Sequence, residues 1–434
     1  MIKLNEKQQY AYDRIKSGAN VFITGPGGVG KSVLIRKISE EMENGLVLLA
    51  PTGIAAQNIL GATIHRTFRF GFGFLTKGQR RRVNERTQDV FALTGTDDIT
   101  RIVIDEISMV RADVLAAIDM QLRVIRKTLK PFGGIQIIAV GDFYQLSPIV
   151  KNNSEEANAL YSEFKSMYAF DTQAWKEADF EMIQLDQVMR QSDTTFISAL
   201  NSIRTKNVGF KKSLDFLNDE ALKEKDFGDH DPIYLCATNK SADVINNYFF
   251  DEINSRKFTY HGIASPGFRD FPVPIEISLK VGCKVMICAN DRGGSYFNGQ
   301  TGIVSGLTAN HIEVEIDGRE IPIRMEKQTW EEYDYVKVDG KLTKKVVGTF
   351  IQYPIKLGYA ITIHKSQGLS LDAAILHTEG KCFAHGQAYV ALSRLRSLDG
   401  LVMHEGMKPH EIIVDSTVSA FYEEARFRQE NGLN

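Results

Sequence analysis

Residues Gly25-Pro26-Gly27-Gly28-Val29-Gly30-Lys31-Ser32 form a complete G-x-x-x-x-G-K-S loop. The apolar run Val21-Phe22-Ile23 comes before it, and Val33-Leu34-Ile35-Arg36-Lys37-Ile38 follows with apolar residues at helical spacing. Strand, glycine loop and helix in that order are the context in which this pattern cradles phosphates. The glycines let successive backbone N–H groups turn inward toward an anion. Lys31 is placed to reach the β/γ-phosphates, and the Ser32 hydroxyl to sit on Mg²⁺. Gly25, Gly27, Gly28, Val29 and Gly30 are the candidate backbone contacts. The fold must therefore supply a parallel α/β sheet with this loop at the carboxyl end of a strand, and a nucleoside triphosphate with Mg²⁺ is the expected ligand.

Two later segments complete such a site. Arg101-Ile102-Val103-Ile104 is an apolar run that ends in Asp105-Glu106. A carboxylate at the end of a buried strand is what a metal ligand beside a phosphate loop requires, so Asp105 is the metal candidate. Glu106 is the candidate to orient and deprotonate an attacking water. A third apolar run, Ile135 to Val140, leads into Gly141-Asp142-Phe143-Tyr144-Gln145. Loops at the carboxyl ends of strands gather around one crevice in α/β sheets, so Gln145 could reach the γ-phosphate.

At 434 residues the chain is too long for one core, and about two to four domains are expected. No apolar stretch approaches membrane-spanning length. The amino terminus carries no apolar signal region, and no Arg/Ser-rich leader is visible, so a cytoplasmic protein of bacterial or phage type is expected. Cys236, Cys283, Cys288 and Cys382 are too few for a disulfide framework and read as reduced thiols. The net charge of −2 argues against a protein that coats duplex DNA, while leaving room for a narrow basic channel.

The segments GPGGVGKS, APTGIAAQNI, GATIHRTF, IDEISMV, GDFYQLSPI, LDQVMRQ, ITIHKSQGLSLD and GQAYVALSRLRSLDGL occur in that order. Together they resemble the motif series of superfamily 1 helicases of the 5′-to-3′ group, and most of all the petite-integration-frequency (Pif-type) DNA helicase family. RecD-like enzymes are a more distant match. The resemblance runs from about Leu4 to Leu401. It implies two RecA-like motor domains with ATP in the cleft between them. Gln8 matches the adenine-reading glutamine. Arg190 in LDQVMRQ and Arg394 in YVALSR match two arginine fingers, whose guanidinium groups would neutralise charge on the transferring phosphoryl group. Gly368 in HKSQG matches a backbone contact to the nucleotide.

The same resemblance implies a single-strand track. Its candidates are Pro51, Thr52, Gly53, Thr63 and His65 in the first motor domain, and Thr238, Asn239, Thr362, His364 and Lys365 in the second. Small hydroxyls, amides and imidazoles contact phosphate and sugar, so little sequence preference is expected. Phe68-Arg69-Phe70-Gly71-Phe72-Gly73-Phe74 alternates aromatics with period two and leads into Lys77, Arg80, Arg81 and Arg82. Two readings stay open. One is a stacking surface for a single strand that includes Phe68, in a wedge insertion at about residues 66–84. The other is a half-buried strand with its phenylalanines in the core, followed by a solvated basic helix.

The carboxyl-terminal half resumes an α/β pattern at Ile233 to Ala237. From about Phe258 to Gln352 it turns to β-branched runs broken by Asn298-Gly299, Asp317-Gly318 and Asp339-Gly340. Short strands are expected at Val281 to Ile287, Gly302 to Val304, Ile312 to Ile316 and Val346 to Tyr353. The resemblance makes this a small SH3-like β-barrel. The expected organisation is an α/β protein: a first RecA-like domain over 1–180, a second over 181–257 and 353–434 that ends in a helical tail packed on it, and a barrel insertion over 258–352. The implied activity is an ATP-dependent 5′-to-3′ DNA helicase acting on single strands and on duplex, fork or G-quadruplex DNA or RNA–DNA hybrids in genome maintenance, as a motor that needs one chain. An NTP-gated single-strand clamp and a RecD-like subunit that depends on partners are the alternatives.

Overall fold

The computed structural model describes residues 2–71, 73–94, 98–150, 154–191, 193–225, 227, 232–291, 295–316, 321–339, 341–378 and 382–432. Phe72, Asp317-Gly318 and Gly340, which figured in the turn and aromatic patterns above, lie outside the described residues. The chain divides into two compact units. The first comprises Met1–Met189, Glu332–Val347 and Asp415–Asn434, and the second Arg190–Glu331 and Gly348–Val414.

The first unit is built on six strands: β1 (Val21–Thr24), β2 (Leu46–Ala50), β3 (Ala62–Thr63), β4 (Arg101–Ile104), β5 (Gln136–Val140) and β6 (Glu181–Gln184). Their order is β3-β2-β4-β5-β1-β6, and every pairing is parallel. All residues of β1, β2 and β5 are buried, as expected of parallel strands covered on both faces. The helix Lys31–Glu41 lays Leu34, Ile35 and Ile38 against Val21, Ile23, Val103, Ile138 and Val140. Each such fully buried aliphatic side chain stabilises the fold by roughly 1.5–3 kcal/mol.

The second unit holds a parallel sheet in the order Ala360–Thr362, Ile233–Cys236, Ala374–His377, Leu401–Met403. It also holds an antiparallel sheet in the order Ile323–Met325, Ile312–Ile316, Thr301–Leu307, Lys284–Ile287, Ile355–Leu357. A bulge between Val304 and Gly306 bends that sheet. Val285, Ile287, Val304, Val314 and Phe350 fill its core. Asn298-Gly299 lies in the turn between two of its strands, with Gly299 at φ +95°.

Three expected boundaries change. The strand Glu181–Gln184, expected to open the second domain, is the edge of the first sheet, paired with β1 through Phe22 and Met182. The carboxyl-terminal helix Ser416–Glu430, expected on the second domain, belongs to the first unit. Phe421 stacks on Phe170 at 4.3 Å and packs near Phe22, Phe143 and Trp175, an aromatic cluster that the helix's weak amphipathic pattern does not disclose. Finally, residues 332–347, expected within the barrel, group with the first unit. There the Leu48 N–H donates to the Tyr335 hydroxyl at 2.9 Å, and Arg66 and Arg69 pair with Glu332 and Asp334.

No helix among the described residues is long and apolar enough to cross a membrane. The four cysteines are free thiols, three of them buried.

Candidate nucleotide and nucleic-acid sites

The strand order places β4, β5 and β1 side by side. The phosphate loop follows β1, Asp105-Glu106 follows β4 and the Gln145 loop follows β5. All three segments therefore leave the same edge of one parallel sheet. Gly25, Gly28 and Gly30 have φ of +142°, +84° and +81°, conformations that favour glycine. A Cβ on Gly25 would lie 2.1 Å from the Leu185 carbonyl oxygen. The Met189 N–H donates to the Gly28 carbonyl at 2.9 Å, so the LDQVMRQ segment is fastened to the loop just before Arg190. Lys31 Nζ folds back onto the loop, donating to the Gly25 and Pro26 carbonyls at 2.7 and 3.0 Å. Ser32 is exposed at the start of its helix.

Gln8 is buried and has two tasks. Its backbone N–H donates to Asn5 Oδ1 at 2.9 Å while its own Oε1 accepts from the Asn5 N–H at 3.0 Å, a reciprocal cap on the helix Glu6–Lys16. Its Nε2 donates to the Val29 and Gly30 carbonyls at 3.3 Å. One side chain thus joins the first helix to the phosphate loop.

Burial pushes the Asp105 carboxyl well above the usual carboxylate range, and the adjacent Glu106 charge adds to the rise. The Glu106 N–H, which donates to Asp105 Oδ1 at 2.9 Å, and the Lys31 charge oppose it. Glu106 itself sits at φ +49°, ψ +44°, a left-handed conformation that costs a non-glycine residue about 1 kcal/mol or more. Gln145 is buried. Its Nε2 donates to Asp142 Oδ2 at 3.4 Å, and its N–H to the Asp142 carbonyl at 2.8 Å. The glycine backbone at positive φ, a lysine, an exposed hydroxyl and a carboxylate at a strand end fit a magnesium–nucleotide in charge and donor type. Among the described residues no cluster of three or more His, Cys, Asp and Glu side chains forms a larger metal site.

In the second unit Arg190 and Arg394 come together on one residue. Arg190 Nη1 donates to the Ser393 carbonyl at 2.9 Å. Arg394, buried, donates to the Ser393 hydroxyl at 2.8 Å and to the Val390 carbonyl at 2.9 Å. Burial lowers the Arg190 guanidinium from its usual value, with the nearby Arg396 adding. Gln191 and Ser393 were not singled out from the sequence. Gln191 Nε2 donates to the Leu395 carbonyl at 2.7 Å and to that of Ser393 at 3.4 Å. Gly368 is exposed at φ +84°.

The four track threonines share one local geometry. Thr52, Thr63 and Thr238 are helix N-caps, accepting from Ala55, Arg66 and Ser241 N–H groups, and Thr362 accepts from the Lys365 N–H in a turn. Each follows or ends a parallel strand. Capping uses an acceptor lone pair, and the hydroxyl proton can still be given to a phosphate. Pro51 and His65 are half-buried, Asn239 and Lys365 exposed, and Gly53 buried in the first turn of its helix. His65 and His364 are both lowered from the ordinary histidine value, mainly by burial, with Arg111 adding for His65.

Phe68 does not belong to a nucleic-acid surface. It is fully buried in the helix Ile64–Phe68 and stacks on Phe70 at 5.5 Å and Phe91 at 5.1 Å. Nor is the segment a strand, because Thr63 caps a helix there and Arg69 ends it at φ +57°. Of the basic residues that follow, Lys77, Arg81 and Arg82 are exposed, whereas Arg80 is buried and paired with Glu163.

A PIF1-like helicase family model matches residues 3–219. The chain is 33% identical to the ATP-dependent DNA helicase Pif1 of Bdellovibrio bacteriovorus, over 98% of this chain and 92% of that one. It spans 64% of the length of the mouse ATP-dependent DNA helicase PIF1, at 32% identity. A Bacteroides Pif1 solved in complex with ADP-AlF4 superposes with a TM-score of 0.88 at 33% identity, covering 100% of this chain and 99% of that one. A Bacteroides Pif1 bound to single-stranded DNA gives 0.69 at 33% identity, covering 100% and 98%. On the motif loops gathered at one sheet edge and on this full-length likeness, the chain belongs to the PIF1-like helicase family.

Proposed function

We propose that this chain uses ATP hydrolysis to move 5′-to-3′ along a single DNA strand and to separate duplex or forked DNA. The reading is carried by one observation: β4, β5 and β1 are neighbours, so the loops bearing Asp105-Glu106, Gln145 and Lys31 leave one sheet edge together. Lys31 would exchange its two loop carbonyls for phosphate oxygens, a charge-assisted contact stronger than the neutral ones it leaves. Gln8 would read the adenine edge from its seat on the loop. Ser32 and Asp105 would hold Mg²⁺, which when bound neutralises charge on the β- and γ-phosphates. Glu106 would take the proton of the attacking water, and Gln145 would sense the γ-phosphate. Arg190 and Arg394 would offer guanidinium charge to the transferring phosphoryl group, with Gly368 contacting the nucleotide through its backbone.

The nucleic-acid track would run over Pro51, Thr52, Gly53, Thr63 and His65 in one unit and Thr238, Asn239, Thr362, His364 and Lys365 in the other. Capped helix starts there present N–H groups and hydroxyl protons suited to phosphates, which supports sequence-independent binding. The helices after Phe68 would form a wedge, and the antiparallel strands between residues 258 and 357 an SH3-like barrel.

The test uses the full chain with ATP, Mg²⁺ and two otherwise identical duplexes, one with a 5′ and one with a 3′ single-stranded tail. Release from the 5′-tailed duplex alone is expected, and Glu106→Gln and Lys31→Ala should abolish it. Release from the 3′-tailed duplex alone would overturn the polarity. DNA-stimulated hydrolysis with no release from either would identify a clamp or a motor that waits for a partner.

A further inference from the structure

We propose that Tyr422, in the carboxyl-terminal helix, is a positioning residue for ATP hydrolysis. Its hydroxyl ties the strand that carries the phosphate loop to the loop that carries Gln145. The hydroxyl lies 2.7 Å from Thr24 Oγ1, and Thr24 is the last residue before Gly25. It accepts the Phe143 N–H at 3.1 Å and donates to Asp142 Oδ1 at 3.4 Å. With Thr24 donating, both acceptor positions and the single proton of the phenol are used at once. Asp142 in turn receives the Tyr144 N–H at 3.1 Å and Gln145 Nε2 at 3.4 Å. A continuous chain of hydrogen bonds therefore runs from the phosphate-loop strand through Tyr422 to the side chain of Gln145.

Every member of this chain is buried. Tyr422, Thr24, Asp142 and Gln145 are 3%, 0%, 0% and 5% exposed. A hydrogen bond in such surroundings is electrostatically stronger than at the surface, so each donor to the buried Asp142 carboxylate counts for more than it would in water. The ring is fixed as well. Tyr422 stacks on Tyr144 at 4.7 Å with 9° between the planes, and lies near Phe22 at 6.3 Å. Ring packing holds the helix on the sheet, while the hydroxyl sets the end of the phosphate-loop strand against the Gln145 loop. The first task belongs to stability and the second to catalysis, and the two separate by mutation.

This inference rests on the proposed roles of the phosphate loop and Gln145, and the experiment is chosen to tell the two apart. Steady-state ATP hydrolysis by the full chain is measured with saturating single-stranded DNA for Tyr422→Phe, Thr24→Val, Phe421→Leu and Gln145→Ala, with Tm and single-strand Kd for each. Tyr422→Phe keeps the ring and loses the hydroxyl. It is expected to lower kcat about tenfold, with the KM for ATP and the Kd for DNA within twofold of wild type. Thr24→Val removes the same bond from the other side and should shift kcat in the same direction, so the proposal stays testable if the tyrosine variant folds poorly. Phe421→Leu removes aromatic packing alone and should lower Tm while kcat stays unchanged. Wild-type kcat in Tyr422→Phe and Thr24→Val would overturn the proposal. So would an equal loss of kcat in Phe421→Leu, which would make the effect one of packing. If Gln145→Ala keeps full kcat while Tyr422→Phe loses it, the reading of Gln145 falls and the tyrosine acts through the phosphate-loop strand.

Discussion

The Ser393 carbonyl accepts a hydrogen bond from Arg190 Nη1 at 2.9 Å, although the two residues are 203 positions apart in the chain. The Ser393 hydroxyl accepts from Arg394 at 2.8 Å, and Gln191 binds the carbonyls on either side of Arg394. Two arginines from separate motifs are thereby held by one serine. Ordering a free arginine side chain costs up to about 2 kcal/mol. Much of that is already spent when both guanidinium groups are anchored before any phosphate arrives.

Ser393→Ala should therefore weaken catalysis without removing either arginine. The backbone carbonyl that holds Arg190 stays, while Arg394 loses its hydroxyl acceptor. We expect kcat for DNA-stimulated hydrolysis to fall roughly three- to tenfold, the scale of one hydrogen bond. Arg190→Lys should cost more, about 100-fold, because an ammonium cannot reproduce the planar fork. Both variants should keep the KM for ATP close to wild type. A change confined to KM would mean that the arginines serve ground-state binding instead.

Gly30 and Gln8 give a second prediction. A methyl at Gly30 would sit 2.5 Å from Gln8 Nε2, and the backbone there has φ +81°. Gly30→Ala must displace Gln8 and strain the loop by about 1–2 kcal/mol. Nucleotide binding, followed by a fluorescent ADP analogue, should be lost or weakened at least tenfold. Gln8→Ala spares the loop backbone and removes both the cap and the loop contact. It should lower stability by about 1 kcal/mol and raise the KM for ATP with kcat largely kept.

How much of this was legible in the residues differs from element to element. Strands β1, β4 and β5 are short apolar runs that end in chemically distinctive loops, so both their existence and their shared edge could be read. Glu181–Gln184 reads Glu-Met-Ile-Gln, too short and polar to show which sheet it joins, and only its pairing with β1 decides. The carboxyl-terminal helix carries a scattered apolar pattern. Its partner is an aromatic cluster assembled from Phe22, Phe143, Phe170 and Trp175, and no local spacing encodes such a contact. Tyr422 and Ser393 are illegible for a related reason: Thr24 and Asp142, which Tyr422 meets, and Arg190, which Ser393 holds, are distant in sequence. Gln8 was found by motif, while its second contact, on the loop carbonyls, needed coordinates.

Phe68 is a core residue, and its substitution separates packing from nucleic-acid binding. Period-two phenylalanines left a stacking face and a half-buried strand both open; Thr63 instead caps a helix, and Phe68 lies in the core between Phe70 and Phe91. Phe68→Ala should destabilise the protein by about 3–5 kcal/mol, as other buried phenylalanines do. Phe68→Leu should refold the site with a modest stability loss and an unchanged Kd for single-stranded DNA. A large loss of DNA affinity in a folded Phe68→Leu protein would restore the stacking role.

The two buried imidazoles make stability depend on pH with a definite sign. His65 and His364 are held below the ordinary value of 6.5, mainly because burial disfavours the charged ring. Above 6.5 the ring is largely neutral in both the folded and the unfolded chain. Below it the unfolded chain takes up protons that the folded chain refuses, so stability falls as the pH drops. Asp105 acts in the opposite sense. Its carboxyl is raised by burial and by the neighbouring Glu106 charge, so the folded chain holds a proton the unfolded chain releases, and this group adds stability as the pH falls. A single wild-type curve would blend the two effects. The comparison that isolates the histidines is wild type against His65→Gln/His364→Gln in urea denaturation at pH 7.5 and 5.5. The wild type should lose more stability than the double variant across that interval. Equal losses would show that neither imidazole is held neutral by its burial.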